Sequence, residues 1–177
     1  LNEKILMMLD FEKIVMDISP QTGITQERMA SVEKKDRTGI NLVLADDSPM
    51  IRQVLKDTLT SAGFENMKFY NDGAQAYRYI SGLAEAFGTD FRDEITVLIT
   101  DIEMPELDGH TLTRRIKEDK IMKALPVIIF SSLITGDLRH KGEAVGADAQ
   151  LSKPEVGQLV ELIDAIASGA DISKASA

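Results

Sequence analysis

The sequence predicts an α/β fold: a doubly wound parallel sheet of five strands with helices on both faces. Three observations predict it. Short apolar runs read as strands buried on both faces. They alternate with stretches whose apolar residues recur at helical spacing. Capping and turn residues stand where one element should give way to the next.

The elements follow in order. Ile5–Leu9 is a short strand-like run, and Phe11, Ile14, Val15 and Ile18 then share one helical face. Ser19-Pro20 ends that helix, and residues 25–39 are polar and aperiodic, which predicts a linker. A new domain starts near Ile40. Leu42-Val43-Leu44-Ala45 is a buried strand, Ser48 is an N-cap, and Pro49 takes the first helical position. Ile51, Val54, Leu55, Thr58 and Leu59 mark the helix that follows, and Gly63 closes it. Met67–Tyr70 is a weaker strand near the sheet edge, and residues 73–86 form a helix through Ala74, Tyr77 and Ile80.

Ile95–Ile99 is the third strand, running into Thr100-Asp101, and Asp108-Gly109 opens a helix through Leu112 and Ile116. Val127–Phe130 is the fourth strand, ending at Ser131-Ser132. A helix over about 136–145 is closed by Gly146, and Ala149–Leu151 is a short fifth strand. Pro154 starts the last helix, with Val156, Leu159, Val160, Ile163 and Ile166 on one face. The domain therefore spans 40–168, with 169–177 as a flexible tail.

Composition narrows the function. The chain has 177 residues, 44% hydrophobic and 28% charged, as soluble globular domains do. No apolar run reaches the roughly 18–20 residues that span a bilayer, and nothing resembles a signal peptide. Membrane insertion is not expected. There is no cysteine, so disulfides, thiolate nucleophiles and Cys-ligated zinc are excluded. That fits a cytoplasmic location. His110 and His140 lack any ligand spacing. The net charge is −9, with Lys and Arg scattered among acids, which argues against nucleic-acid binding. The chain opens Leu-Asn-Glu-Lys, which suggests a piece of a longer protein.

In such a sheet the site lies beyond the carboxyl ends of the strands. The first strand delivers Asp46 and Asp47 there, the third Asp101, the fourth Ser131 and the fifth Lys153. Alone, each has an ordinary reading: a turn or cap for the acids, a loop hydroxyl, a solvated lysine. Together they suit one chemistry. Crowded carboxylates repel unless they bind protons or share a cation, and Mg²⁺ is the hard, oxygen-liking choice. A lysine grips a phosphate oxygen as a point charge. Cation and lysine offset charge developing in phosphoryl transfer, and a carboxylate nucleophile becomes an acyl phosphate.

Residues 40–168 resemble the receiver domain of two-component response regulators. The resemblance rests on "LVLADDSPMIRQVL", "VLITDIEMPELDGHTL", "LPVIIFSSL" and "GADAQLSKP". It implies the flavodoxin-like (βα)5 receiver fold, with Asp101 as phosphoacceptor. Asp47 would bind Mg²⁺ directly and Asp46 mainly through water, and the carbonyl of Glu103 would complete the protein ligands. Ser131 would contact the phosphoryl group and move on activation. Lys153 would pair with carboxylate or phosphate, aimed by a cis bond before Pro154. The segments "ILMMLDFEKIVMDISPQTGI" and "GADAQLSKPEVGQLVELIDAI" further resemble the CheV family of chemotaxis coupling proteins. That resemblance makes residues 1–24 the C-terminal remnant of a CheW-like coupling domain. It implies a CheA-like histidine kinase as phosphoryl donor and a chemoreceptor signalling complex as partner. The output would be altered receptor–kinase coupling, or a sink for phosphoryl groups. The apolar face of 1–24 invites self-association or disorder in this chain.

Three departures stand out. Gln150 occupies a place where many receivers carry Tyr or Phe. Residues 83–94 look long for a helix-to-strand connection; they extend the second helix, form a binding loop, or are tolerated surface. Glu103 adds an acid that could tune phosphoryl lifetime. The rival enzyme reading is a HAD-like Mg²⁺-dependent phosphatase, but it usually wants Asp at the place of Glu103, and a cap of domain size. A flavodoxin-like binding module would need a phosphate-cradling loop where Asp46-Asp47-Ser48-Pro49 stands.

Overall fold

Apolar residues two apart on a strand face the same side, and this alternation sorts the core. In the computed structural model, which describes residues 34–132, 134–153 and 155–170, Leu42 and Leu44 pack into one apolar cluster and Val43 and Ala45 into another. Their strand, β1 (Asn41–Ala45), is therefore buried on both faces. With β2 (Asn66–Tyr70), β3 (Val97–Thr100), β4 (Val127–Ser131) and β5 (Ala149–Ser152) it forms one parallel sheet in the order β2-β1-β3-β4-β5. The chain steps outward from β1 to β2, then returns across β1 to β3. The carboxyl ends of β1 and β3 flank this reversal, where such sheets form their crevice. β2 is the partly exposed edge strand that its sequence predicts.

The connecting helices are α1 (Pro49–Ala62), α2 (Gly73–Phe87), α3 (Phe91–Glu94), α4 (Gly109–Glu118), α5 (Gly136–Ala144) and α6 (Val156–Ala167). Side chains of α1 and α6 fill the cluster around Leu42 and Leu44, and those of α2 and α4 fill the other. The caps are local and legible. Ser48 Oγ accepts from Ile51 N, Asp72 from Gln75 N and Asp108 from Thr111 N, each satisfying an otherwise orphaned donor. Gly63 ends α1 with φ 103, the left-handed conformation that favours glycine.

Several expectations meet a different outcome. α6 begins at Val156, not Pro154; Pro154 and the cis bond expected before it lie outside the described residues, as do the elements expected in 1–24 and residues 171–177. The long stretch 83–94 is packed. α2 extends to Phe87, a 3₁₀ turn covers Gly88–Asp90, and α3 follows. Phe91 and Ile95 are fully buried in the α2/α4 side of the core, so the stretch is anchored. Arg92 Nη1 donates to the carbonyls of Ile95 and Thr96 at 2.8 and 2.7 Å.

The end of the predicted linker is also docked. Arg37 is only 4% exposed. Its guanidinium forks onto Asp164 of α6 at 2.7 and 2.8 Å, donates to the Ala62 carbonyl at the end of α1, and lies over the Phe64 ring. One side chain thus ties the approach to the domain to two helices.

α5 is held differently. Gly142 is its single buried residue. Beneath it lie two polar side chains, His110 and Gln150, and neither His110 nitrogen nor Gln150 Oε1 has a hydrogen-bond partner. The Leu138 main chain stands near the imidazole without completing a hydrogen bond. Burial, and then the Lys141 charge, push the His110 pKa below its ordinary 6.5.

Truncating Arg37 to Ala removes the fork to Asp164, a donor to the Ala62 carbonyl and the packing on Phe64, and should lower stability by about 2–3 kcal/mol in urea unfolding. Arg37→Lys should recover less than half, because lysine cannot fork. For His110, an unfolded chain takes up a proton below about pH 6.5 that the folded state resists, so wild-type stability falls as pH drops through that range. His110→Leu removes that loss and the unpaired nitrogens. It should gain about 1 kcal/mol at pH 7 and a larger margin near pH 5.5. A margin that narrows on acidification would contradict the assignment.

Candidate functional site

Strand register assembles the site. β1 and β3 run in step, with Ala45 opposite Thr100, so the residues that follow, Asp46 and Asp101, emerge side by side. Asp101 N donates to the Ala45 carbonyl at 2.9 Å, which fixes this junction. β4 and β5 bring Ser131 opposite Ser152, and Lys153 N donates to the Ser131 carbonyl at 3.1 Å. Four strand ends thus meet at one edge.

The side chains converge there. Lys153 Nζ lies 2.8 Å from Asp46 Oδ2 and 2.9 Å from Asp101 Oδ2. All three residues are at least nine-tenths buried: Asp46 3% exposed, Asp101 6% and Lys153 6%. The second oxygen of each acid is held by main chain. Asp46 Oδ1 accepts from Ser48 N at 2.9 Å and Asp101 Oδ1 from Ile102 N at 2.7 Å. Asp47 is exposed, and one oxygen from each of Asp46, Asp47 and Asp101 falls within 4.8 Å of the others. Ser131 is buried at the end of β4.

Charge is unbalanced. Burial raises the Asp46 pKa; the Lys153 ammonium offsets only part of this, and the neighbouring Asp101 adds to it. Burial also works against the Lys153 charge, but Asp46 and Asp101 together outweigh it and hold its pKa above the ordinary value. The lysine stays protonated and neutralises one carboxylate's worth of charge. Three clustered carboxylate oxygens with one ammonium among them match the donor set that a hard divalent cation such as Mg²⁺ takes. The exposed Asp47 and the exposed Glu103 lie on an open cleft of about 500 Å³ that continues from the acids between the β3–α4 loop and α5.

Two site-forming residues escaped the sequence reading. Arg52 Nη1 donates to the carbonyls of Asp46 and Asp47 at 2.6 and 2.9 Å, bracing the loop that carries the acid pair. Its signal was a cation in the first turn of α1, passed over because only apolar spacing defined that helix. Gly109 was read as a helix start alone. A Cβ there would collide with the Asp101 carbonyl, so α4 begins hard against the site. Between them the β3–α4 loop makes a tight turn, with Glu106 at φ 61 and Leu107 N donating to the Pro105 carbonyl.

Comparison with known proteins agrees with this geometry. Residues 42–167 match the response regulator receiver domain. The chemotaxis protein CheV3 of Helicobacter pylori is 28% identical over 165 residues, covering 93% of this chain and 52% of that protein. CheV1 of the same organism is 24% identical over 85% of this chain and 45% of its own length. A gliding motility regulatory protein of Myxococcus xanthus is 33% identical over 118 residues. The chain spans about half the length of the CheV relatives it matches. Among solved structures, the receiver domain of the histidine kinase CKI1 from Arabidopsis thaliana superposes with a TM-score of 0.63 at 27% identity, covering 74% of this chain and 91% of that one. The chemotaxis response regulator CheY4 of Vibrio cholerae gives 0.56 at 26%, covering 73% and 99%. Nothing in the fold or in these relatives supports the phosphatase reading, and no described helix is long and apolar enough to cross a membrane. With the family's domain matched across every strand of the sheet and an acid cluster at its carboxyl edge, this chain belongs to the response regulator receiver family.

Proposed function

We propose that this receiver accepts a phosphoryl group on Asp101 from a histidine kinase of the CheA-like class and serves chemotaxis signalling. The observation that carries the reading is the buried Lys153 ammonium held between Asp46 and Asp101, with Asp47 open beside them. The likeness to CheV chemotaxis proteins over nearly the whole chain supports the setting.

Each residue has a part. Asp101 offers the carboxylate oxygen that attacks phosphorus; the donor nitrogen–phosphorus bond breaks as the acyl phosphate forms, and the donor nitrogen keeps the electron pair. Asp47, Asp101 and the Glu103 carbonyl would hold Mg²⁺ directly, and Asp46 mainly through water. When bound, the cation draws charge from the phosphoryl oxygens. Lys153 stands ready to follow a phosphoryl oxygen, and the Ser131 hydroxyl to bond another. The product carries about −1.5 to −2 charges in a site already rich in carboxylate. That change draws Lys153 and Ser131 inward and biases the elements behind them, α5 and β5. In the full-length protein the result is changed coupling of chemoreceptors to the kinase, or removal of phosphoryl groups from it.

The test is direct. Wild type incubated with Mg²⁺ and acetyl phosphate should gain one phosphoryl mass. Asp101→Asn should gain none, Lys153→Ala should label at least about tenfold more slowly, and chelating the metal should abolish labelling. If wild type stays unlabelled while a control receiver is labelled, the reading fails.

A further inference from the structure

α5 rests on the least satisfied part of the described core. The unpartnered buried side-chain atoms among the described residues belong to His110 and Gln150, and both lie beneath this helix. Gln150 packs directly against it. It sits on β5 opposite Ile129 of β4, two residues before Ser131 on that strand and three before Lys153 on its own. Its Nε2 donates to the Arg139 carbonyl of α5 at 2.8 Å. Because that carbonyl can only accept, the amide nitrogen must face it, which leaves Oε1 turned elsewhere and buried without a partner. The carboxamide occupies the volume a Cβ at position 142 would need, so Gly142 is the notch that receives it. No other residue of α5 is buried.

We propose that Gln150 is a positioning residue for phosphoryl uptake: its carboxamide, seated in the Gly142 notch, latches α5 in the arrangement of the unphosphorylated receiver. The inference rests on the function proposed above. The latch has one bonded and one unbonded end, so it holds the helix without fixing it firmly: the Arg139 bond favours the seated amide, and the stranded oxygen favours release into water. Both strands that flank the notch end in residues that meet the phosphoryl group, Ser131 on β4 and Lys153 on β5. Drawing those ends toward Asp101 displaces Ile129 and Gln150 behind them, and the amide withdraws. By linkage, if phosphorylation unseats the amide, then unseating the amide favours the phosphorylated state.

A volume exchange tests this in the full chain. Gly142→Ala places a methyl where the carboxamide sits, expelling it, while alanine strengthens the helix itself. In the unphosphorylated protein, exchange of α5 backbone amides should quicken at least about fivefold, with other helices unchanged. The phosphorylated fraction reached with subsaturating acetyl phosphate and Mg²⁺ should rise at least about twofold. Gln150→Ala should do the same by removing the latch, and it carries the test alone if Gly142→Ala does not fold. In the double variant the latch is already gone, so the second change has nothing left to remove. Both readouts should match those of either single variant to within about twofold. If both single variants match wild type in α5 exchange, or if the double variant shows their effects added, the latch is wrong. Absence of labelling in wild type would sink the phosphoacceptor reading instead, and α5 exchange would still decide the latch.

Discussion

Carboxylates brought together out of water repel, and the arrangement at the carboxyl edge of this sheet is organised around that repulsion. Asp46 and Asp101 are buried within reach of the same lysine nitrogen, which neutralises one negative charge and leaves the cluster short of balance. Burial raises the Asp46 pKa, the lysine offsets only part of that rise, and the Asp101 charge adds to it. Everything nearby serves to keep the acids in place. Main-chain donors from Ser48 and Ile102 take one oxygen of each, and the Arg52 guanidinium ties down the carbonyls of the loop. Such a cluster is primed for a divalent cation and, in the reading proposed here, for a phosphoryl group whose added charge is met by groups already in position.

The two sides of the domain are secured to different degrees. α1 and α6 pack on a deep apolar cluster and are joined by Arg37, whose fork to Asp164 and bond to Ala62 leave little freedom. α2 and α4 fill the other side, with Phe91 sealing its far end. α5 covers the remaining part of that side with one buried glycine over a histidine and a glutamine. A helix with so little apolar burial has a small free energy of docking, and elements of low local stability are the ones that move in switching. The firm flank holds the sheet in register, and the loose flank lies next to Ser131 and Lys153.

The position of Gln150 shows how a departure from a family pattern changes the physics without changing the fold. An aromatic ring there would bring no amide nitrogen to meet the Arg139 carbonyl. The carboxamide bonds the Arg139 carbonyl and packs into the notch. The same strand position can thus couple to α5 by a hydrogen bond and a fitted volume in place of a ring.

By itself the sequence determined that there are five strands, though it began the third at Ile95 where the structure begins it at Val97. It also determined most helix starts and the five acid, hydroxyl and lysine positions. These are local properties: two-residue alternation, helical spacing, Ser48-Pro49 and Asp108-Gly109 as starts, and residues placed at strand ends. It could not reveal what depends on distant chain segments meeting. Arg37 looked like linker because its partners, Ala62, Phe64 and Asp164, are far along the chain. Residues 83–94 looked like spare length because Phe91's burial depends on β1, α2 and α4 closing around it. Gly109 and Gly142 gave no sign of the Asp101 carbonyl or the Gln150 amide against them. The identities of the site residues were written in order along the chain. Their distances, the shortfall in charge and the thin packing of α5 were decided only when the sheet drew the strand ends together.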